Sequence, residues 1–288
     1  MIIYRKLTHD DYEDIADLSK DIWEGTDYLP KVFHKWVDDK GIFLGAIDSD
    51  RNKVAAVAKL SMLSDGSGWL EGLRVHIDYR GQKLAKKITE QLLNTAKVYL
   101  KEKKINRIAF STHISNVESR NMMEKFSFKL IQAHVLAVKK LPELPGCEIN
   151  SKFHVEPWNI SYEDFKQLSY FTKRNGLLPL AFVFQEITPE LFQKLKEDQG
   201  LVIINNHPGI FKYKGEPNFL AIEDSFDAID TFMNYYISKY MTSGLQEIYT
   251  PILSEDKSLM EKLISSHYYS WSNWEPDYLY YVYESPLY

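Results

Sequence analysis

The sequence has little of what disulfide-bonded, zinc-binding and membrane-spanning proteins require. Cys147 is the only cysteine among the 288 residues, so a disulfide within the chain and a Cys₄ or Cys₂His₂ zinc site are both excluded. The best apolar run, from Val54 to Leu60, is interrupted by Lys59 and is far shorter than the roughly 18 residues that span a membrane. The first residues lack the long apolar stretch of a signal peptide. We therefore expect a soluble protein of the reducing cytoplasm, without a membrane partner and without a metal.

The phosphate-binding motifs of two large enzyme classes are also missing. Neither a P-loop nor a Rossmann GxGxxG sequence occurs, which disfavours both of these nucleotide-binding folds. Charge restricts the function further, because 35 Lys and Arg against 40 Asp and Glu give a net charge of −5. An acidic chain argues against a dedicated nucleic-acid binder, so no nucleic-acid partner is predicted.

Charge and aromatic residues divide the chain into two regions. Residues 1–145 hold 24 Lys and Arg against 20 Asp and Glu, whereas residues 146–288 hold 11 against 20. Of the 19 tyrosines, 14 lie beyond residue 145. Two prolines and a glycine between Leu141 and Gly146 predict a linker at residues 141–150. We therefore expect two domains, residues 1–140 and residues 151–288, each of a size typical of single domains.

Hydrophobic periodicity predicts a mixed α/β fold for the first domain. Apolar residues recur every three or four positions from Leu84 to Leu100, the spacing of an amphipathic helix. Apolar runs bounded by polar turns predict strands around this helix, among them Val54–Met62, Trp69–Val75 and Ile105–Thr112. The full order is strand, two helices, three strands, helix, strand, helix and strand, which indicates an α/β fold (α+β mixed sheet).

The second domain repeats part of this order. The predicted elements are a strand at Phe219–Ile222, a helix at Phe226–Tyr240, a strand at Glu247–Ile252, a helix at Lys257–Ser265 and a strand at Tyr278–Tyr283. Four acids occupy the region where the first domain has a basic helix start: Glu223, Asp224, Asp227 and Asp230. If they face a cleft, these acids and the many tyrosines suit a cationic or aromatic amine. Packing of the tyrosines in the core is the alternative.

A basic loop precedes the long helix of the first domain. Arg80, Lys83, Lys86 and Lys87 place four positive charges within eight residues, with no acid among them. The N–H groups at a helix start have no partner within the helix and lie at the positive end of its dipole, so they bind phosphates. A basic helix start that faces only solvent is the alternative.

At these residues the sequence resembles the GNAT superfamily of acyl-CoA-dependent N-acyltransferases. The fourth strand of that family typically reads Leu-x-Val-x-Pro, and a loop of the form (Gln/Arg)-x-x-Gly-x-(Gly/Ala) follows. Leu73 and Val75 match the strand, and Arg80, Gly81 and Ala85 match the loop. The resemblance implies that the loop amides hold the CoA pyrophosphate and that the strand backbone pairs with the pantetheine arm.

A second stretch, from Asn116 to Phe128, resembles the family run Asn-x-x-(Ala/Ser)-x-x-x-Tyr-x-Lys-x-Gly-Phe, and it implies that Asn116 lies beside the pantetheine arm. The residues that the resemblance assigns to CoA are Leu73, Arg74, Val75, Arg80, Gly81, Gln82, Lys83, Leu84, Ala85 and Asn116. The resemblance also implies two tandem GNAT-like domains, of which the second is degenerate and lacks the pyrophosphate loop, and therefore one CoA per chain.

Four positions depart from the family pattern. Ile77 replaces the usual Pro, while Lys83 and Ser127 replace Gly, which permits positive φ and close backbone approach. Met123 replaces the Tyr that often protonates the departing thiolate. The acid is therefore absent from its usual position, and solvent or another side chain has to supply the proton.

Glu71 is the predicted catalytic base. A model lysine amine has a pKa of about 10.4 and an α-amine about 7.7–8.0, so a base is needed to generate the neutral amine that attacks. Period-two alternation places Glu71 on the same strand face as Leu73 and Val75, where partial burial raises a carboxyl pKa. A carboxylate paired with a nearby lysine or facing solvent is the alternative. His113 and His76 are weaker candidates.

The acceptor cleft of this fold is formed in part by the connection between the first two helices, residues 23–30 here. Asp27 and Tyr28 of that segment are the predicted acceptor-binding residues. We expect the protein, a monomer or homodimer, to transfer the acetyl group of acetyl-CoA to a small-molecule or peptide primary amine by direct attack in a ternary complex. A catalytically silent CoA-binding sensor or scaffold is the first alternative. A nucleic-acid-binding protein that uses the basic helix is the second.

Overall fold

The computed structural model describes residues 1–22, 25–141, 152–213, 217–240 and 246–284. Apart from Leu141, the predicted linker at 141–150 lies outside these residues. The strands are β1 (Ile2–Lys6), β2 (Ile42–Asp48), β3 (Lys53–Met62), β4 (Ser67–Val75), β5 (Arg107–His113), β6 (Phe128–Lys140), β7 (Val155–Pro157), β8 (Leu177–Leu180), β9 (Val183–Glu186), β10 (Leu201–Ile204), β11 (His207–Lys212), β12 (Asn218–Ala221), β13 (Glu247–Leu253) and β14 (Tyr278–Tyr283).

Several helices begin where the apolar periodicity predicts them, while the helices between residues 162 and 197 have no predicted counterpart. They are α1 (Tyr12–Ser19), α2 (Leu29–Asp38), α3 (Leu84–Lys101), α4 (Val117–Lys125), α5 (Tyr162–Lys166), α6 (Ser169–Thr172), α7 (Pro189–Glu197), α8 (Phe226–Tyr240) and α9 (Lys257–Ser265). The mixed α/β class is confirmed, and α3, α8 and α9 begin at the predicted residues. No helix in the described part of the chain is long and apolar enough to cross a membrane.

Backbone contacts group the chain into two compact units. The first unit comprises Met1–Phe110, Lys125–Phe128 and the segment from Val282 onward. The second unit comprises Ser111–Glu124 and Lys129–Tyr281. The chain passes from one unit to the other more than once, so neither unit is a single continuous segment.

In the first unit, strands β1 to β5 lie side by side in chain order. The first four strands are antiparallel, whereas β5 runs parallel to β4, with Ser67 opposite Arg107. Helix α3 packs on β2, β3 and β4. Helices α1 and α2 cover an apolar cluster with β2 and β3, formed by Leu7, Ile15, Leu18, Leu29, Phe33, Trp36, Phe43, Ile47, Val54 and Val57.

A β-bulge interrupts the pairing of β3 with β4. Lys59 pairs with Glu71, and two residues earlier along β3, Val57 pairs with Arg74. Strand β4 therefore holds one residue more than β3 between these two pairs, which defines a bulge. Gly72 lies in this stretch with φ of +67°, a backbone conformation that glycine adopts without steric penalty.

The bulge corrects the predicted face of Glu71. Simple alternation places Glu71 with Leu73 and Val75, and this is wrong because the extra residue reverses the alternation beyond Gly72. Paired residues on neighbouring strands share a face of the sheet. Since Lys59 and Val57 share a face of β3, their partners Glu71 and Arg74 share a face of β4.

The second unit has its own sheets and core. Strands β13, β6 and β14 lie side by side, and β6 pairs antiparallel with β13 from Lys140 opposite Glu247 to His134 opposite Leu253. A four-stranded sheet has the order β12, β11, β10, β7, and β8 pairs with β9 in a hairpin. Seven tyrosines of this unit are buried, which favours core packing for half of the tyrosines beyond residue 145: Tyr170, Tyr235, Tyr236, Tyr268, Tyr278, Tyr280 and Tyr281.

Gly72→Ala tests the packing of the bulge. An added Cβ at Gly72 would lie 2.5 Å from Cζ3 of Trp36, and alanine would have to keep φ of +67°. Gly81→Ala is the matched control, because Gly81 has φ of +79° but its added Cβ meets nothing within 4 Å. We expect Gly81→Ala to lower the free energy of unfolding by about 1 kcal/mol from backbone strain alone. Gly72→Ala should lower it by about 1–3 kcal/mol more from overpacking.

Chemical denaturation followed by circular dichroism measures both free energies. Equal losses in the two variants would show that the Trp36 ring moves aside without cost, and would contradict the argument that this ring fixes the bulge.

Candidate active site

A tight turn connects strand β4 to helix α3 in the first unit. After β4, residues Ile77–Tyr79 form one turn of 3₁₀ helix, and Arg80 is extended, with φ of −64° and ψ of 156°. Lys83 has φ of +59° and directly precedes α3. The first backbone hydrogen bond of helix α3 runs from the Lys87 N–H group to the Lys83 carbonyl. The N–H groups of residues 84–86 therefore lie at the open, positive end of the helix dipole.

The surface of this turn is accessible. Arg80, Gly81, Gln82 and Lys83 are exposed, while Leu84 is buried and anchors the start of α3. The space beside Gly81 is open, since an added Cβ would meet nothing within 4 Å. The turn thus combines free helix N–H groups, cationic side chains and room for close approach, the properties that a pyrophosphate requires.

Two departures from the family pattern keep the backbone conformation that glycine favours. Lys83 has φ of +59° and Ser127 has φ of +67°, both in the left-handed region. A residue other than glycine in this region costs about 1–2 kcal/mol. Both positions therefore keep a left-handed backbone although the side chain has changed.

Glu71 is partly buried in the middle of β4. The hydroxyl of Ser61 on β3 donates a short hydrogen bond to Glu71 Oε1. Burial raises the pKa of Glu71, while the Ser61 hydrogen bond and the charge of Lys59 act in the opposite direction. A carboxyl group with a raised pKa is a stronger base when ionised, as the predicted role requires.

Lys59 is completely buried opposite Glu71. Its Nζ lies 2.6 Å from Asp39 Oδ1 and donates a hydrogen bond of 3.1 Å to the Trp36 carbonyl. Burial lowers the pKa of Lys59, and the hydrogen bond to Asp39 opposes this effect. The lysine next to the predicted base is therefore bonded to Asp39 rather than to Glu71 itself.

Asp27 and Tyr28 surround Arg74, on the same face of β4 as Glu71. The Asp27 carboxylate accepts two hydrogen bonds from the Arg74 guanidinium, at 3.0 Å each, and its side chain is fully buried. The guanidinium also lies 5.4 Å from the Tyr28 ring centre. Burial raises the pKa of Tyr28, and the charge of Glu71 adds to this effect. The structure thus brings the predicted site residues Asp27, Tyr28 and Arg74 together. The Asp27 carboxylate is hydrogen-bonded to Arg74.

His76 has a structural environment. The side chain is 6% exposed, its Nε2 lies 3.1 Å from Asp17 Oδ2, and its Nδ1 accepts the backbone N–H of Asp78 at 3.2 Å. Both ring nitrogens are therefore engaged within the fold. This geometry favours the structural role for His76 over the role of a base.

In the second unit, Asn116 directly precedes helix α4. Its carbonyl accepts the Arg120 N–H at 3.1 Å, and its side-chain Nδ2 lies 3.2 Å from Thr112 Oγ1. His113 Nδ1 lies 2.7 Å from Ser115 Oγ, and its Nε2 lies 3.6 Å from Asp277 Oδ2. Met123 is 4% exposed and packs in the interior.

Three of the four predicted acceptor-side acids of the second unit have partners inside that unit. Glu223 lies 2.8 Å from His207, Asp224 lies 2.6 Å from the buried Arg174, and Asp230 lies 3.0 Å from Lys139. Asp224 and Asp230 are thereby paired with cations, which reduces the negative charge available to an external cation, while Glu223 shares a hydrogen bond with His207. Within the described residues, no group of three or more His, Cys, Asp or Glu is placed to hold a metal ion.

Sequence reasoning missed the Gly72 bulge and the two ion pairs beside Glu71. A glycine inside a predicted strand is itself a signal of a bulge. Lys59 within the apolar run Val54–Leu60 is a similar signal, because a lysine in a buried strand needs a partner. The partner's identity, Asp39, has no signal of its own in the sequence.

Comparison with known proteins agrees with this geometry. Residues 7–128 match the acetyltransferase (GNAT) family. A histidine N-acetyltransferase of Scomber australasicus is 24% identical over 207 residues, which cover 68% of this chain and 60% of that protein. One from Oreochromis niloticus is 34% identical over 79 residues, covering 27% and 23%. The chain thus spans at most about 60% of the length of these relatives.

Solved structures share the fold over nearly the whole chain. A putative acetyltransferase of Pyrococcus horikoshii has a TM-score of 0.60 at 16% identity, covering 99% of this chain and 90% of that one. A putative acetyltransferase of Thermoplasma acidophilum has a TM-score of 0.59 at 17% identity, covering 98% and 100%. At these identities the likeness establishes the fold.

Ile77→Pro tests whether the turn still accepts the proline of the family pattern. His76 has φ of −56° and ψ of 143°, a conformation allowed before proline, and Ile77 is the first residue of the 3₁₀ turn and 47% exposed. We expect a gain of about 0.4–1 kcal/mol in the free energy of unfolding, because proline restricts the unfolded chain. Ile77→Ala is the control and should change stability little. A less stable proline variant, measured by denaturant titration, would contradict this account of the turn.

Proposed function

We propose that this chain, whose residues 7–128 form a domain of the acetyltransferase (GNAT) family, transfers the acetyl group of acetyl-CoA to a primary amine. The observation that carries the proposal is the turn from Arg80 to Lys83. It leads into the free N–H groups of residues 84–86 and leaves an open space beside Gly81. Its experimental test is consumption of acetyl-CoA that depends on an added amine.

Acetyl-CoA fits the residues of the first unit. The amides of residues 84–86 and the cationic side chains of Arg80 and Lys83 would hold the pyrophosphate, since helix N–H groups and positive charge both favour phosphate. The backbone of Leu73, Arg74 and Val75 is the proposed partner of the pantetheine arm. The role of Asn116 at the same arm remains a prediction from the resemblance.

Transfer begins from the neutral amine. Its nitrogen attacks the thioester carbon, a C–N bond forms, and the C–S bond breaks. The nitrogen loses one proton and the departing sulfur gains one, so protons balance. In this proposal Glu71 accepts the proton of the amine, and solvent protonates the sulfur, because buried Met123 has no proton to give. Thiolates leave readily, so this absence slows the reaction without preventing it.

Free histidine is the first acceptor to test. The curated relatives are named histidine N-acetyltransferases, although this chain spans only part of their length. The α-amine of a peptide N-terminus, with a pKa of about 7.7–8.0, is roughly 10–15% neutral at pH 7, whereas a lysine amine is only about 0.04% neutral. A modest base such as Glu71 therefore suits an α-amino group better than a lysine side chain.

A silent CoA-binding protein is the second candidate function. Met123 in place of the usual acid and Lys83 in place of the loop glycine are the observations that favour it. Such a protein would bind acetyl-CoA and leave it intact with every amine in a panel, including histidine, spermidine and peptide N-termini. Acetyl-CoA consumption that depends on the added amine excludes this candidate.

Gly81→Val tests the proposed pyrophosphate site. A branched side chain at Gly81 fills the open space beside the helix start, so we expect acetyl-CoA to raise the melting temperature of the wild type but not of this variant. Gly176→Val is the matched control, since Gly176 has φ of +80° and equally open surroundings but lies in the second unit. It should keep the acetyl-CoA shift. An unchanged shift in Gly81→Val would remove this turn from the site.

Glu71→Gln tests the base. We expect kcat at pH 7 to fall by about 10²–10⁴-fold with little change in acetyl-CoA affinity. Because burial raises the pKa of Glu71, wild-type kcat/KM should fall as the pH decreases through that pKa, where the carboxylate becomes protonated. The variant should lose this acidic limb. Glu13→Gln, an exposed position on α1, is the control. Equal activity of Glu71→Gln and wild type across pH 6–9 would disprove the assignment.

A further inference from the structure

We infer that Lys59 is a positioning residue for the transfer, because its buried ammonium group stands across the strand pair from the Glu71 carboxylate and keeps that carboxylate ionised. The inference rests on the proposed function, since it assigns a partner to the proposed base. It concerns only the first unit, to which every residue involved belongs.

Register places two β3 side chains against one carboxylate. Lys59 pairs directly with Glu71, and Ser61, two residues further along β3, donates its hydroxyl to Glu71 Oε1. Directly opposite residues of an antiparallel pair have Cβ atoms about 4.5–5.5 Å apart. Strand β3 therefore supplies both a hydrogen bond and a positive charge to the same group.

The Lys59 ammonium group is held in place by Trp36 and Asp39. Lys59 is completely buried, and its Nζ bonds to Asp39 Oδ1 at 2.6 Å and to the Trp36 carbonyl at 3.1 Å. The Trp36 ring itself fills the space beside Gly72, where an added Cβ would lie 2.5 Å from it. Trp36 of α2 thus contacts both Gly72 of the bulge and Lys59 opposite Glu71. It therefore couples the position of the bulge to that of the lysine.

The charges around Glu71 have opposite effects on it. Lys59 and Lys35 favour the ionised carboxylate, whereas burial and the charge of Asp39 favour the protonated form. Tyr28 is a further titratable group that interacts with Glu71, and the charged Arg74 lies on the same face of β4. A base needs both conditions: burial makes the carboxylate basic, and a nearby cation keeps it ionised near neutral pH.

A purely structural lysine would also explain the burial and the hydrogen bonds. In that case Lys59 only connects α2 to the sheet. Replacing Lys59 or replacing Asp39 would then weaken the same contact between them. An electrostatic role predicts a different result. Removing the cation Lys59 should raise the pKa of Glu71, whereas removing the anion Asp39 should lower it.

The experiment compares Lys59→Met with Asp39→Asn. We expect the acidic limb of kcat/KM to move to higher pH in Lys59→Met and to lower pH in Asp39→Asn, by about half a pH unit or more in each. Asp39→Asn also removes the bond that opposes the lowering of the Lys59 pKa by burial, so the shift to lower pH is expected over the pH range in which Lys59 stays charged. Lys53→Met is the matched control, because Lys53 of β3 pairs with Asp17 at 2.6 Å, and it should leave the limb unchanged.

A readout without turnover accompanies the kinetics. NMR titration of the Glu71 side-chain carboxyl carbon, assigned by its loss in Glu71→Gln, should show the same opposite shifts of pKa in the two variants. If Lys59→Met does not fold, Asp39→Asn decides, since Asp39 is 35% exposed and the change is conservative. A shift to lower pH supports the inference, and an unchanged titration overturns it.

Shifts of the Glu71 pKa in the same direction in both variants, or no shift in either, would show that Lys59 has only a structural role. The proposed transferase function would not be affected. A wild type that binds acetyl-CoA but acetylates no amine would refute the proposed function instead, and the catalytic role of Lys59 with it. The carboxyl titration would still distinguish an electrostatic contact from a structural one.

Discussion

The packing of Trp36 against Gly72 is the contact on which the candidate site depends. The extra residue at this bulge reverses the alternation of β4, so Glu71 and Arg74 occupy one face although they are three residues apart. The same tryptophan accepts a hydrogen bond from buried Lys59 through its carbonyl. A single residue of α2 therefore fixes the strand distortion and the cation beside Glu71. Any side chain at position 72 would have to displace the Trp36 ring, which explains why glycine stands there.

Backbone conformation is preserved at two turns, one before α3 and one before β6, although the residue has changed. Lys83 and Ser127 both take left-handed conformations at positions where the family pattern has glycine. Each accepts a strain of about 1–2 kcal/mol, and the path of the chain is preserved. At Lys83 the substitution also adds a positive charge beside the free N–H groups of the helix, which an anionic ligand would favour.

Charged residues that look available in the sequence are engaged in the fold. Asp27 holds Arg74 in the first unit, and Glu223, Asp224 and Asp230 bond to His207, Arg174 and Lys139 in the second. A buried carboxylate without a partner is strongly unfavourable, which accounts for the pairing of Asp27 and Asp224, whose side chains are at most 8% exposed. An acceptor with a positive charge therefore meets less free negative charge than the composition suggests.

The sequence by itself determined the mixed α/β class, many of the helices and strands, and the loop before α3. Helices such as α3, α8 and α9 carry a periodic apolar stripe that local spacing reveals, and the loop motif is contiguous along the chain. The tertiary structure alone decided the face of Glu71, the pairing of Lys59 with Asp39 and that of Arg74 with Asp27. These features depend on register and on contacts between residues 20 to 47 positions apart, and no local pattern encodes which distant partner completes a buried charge.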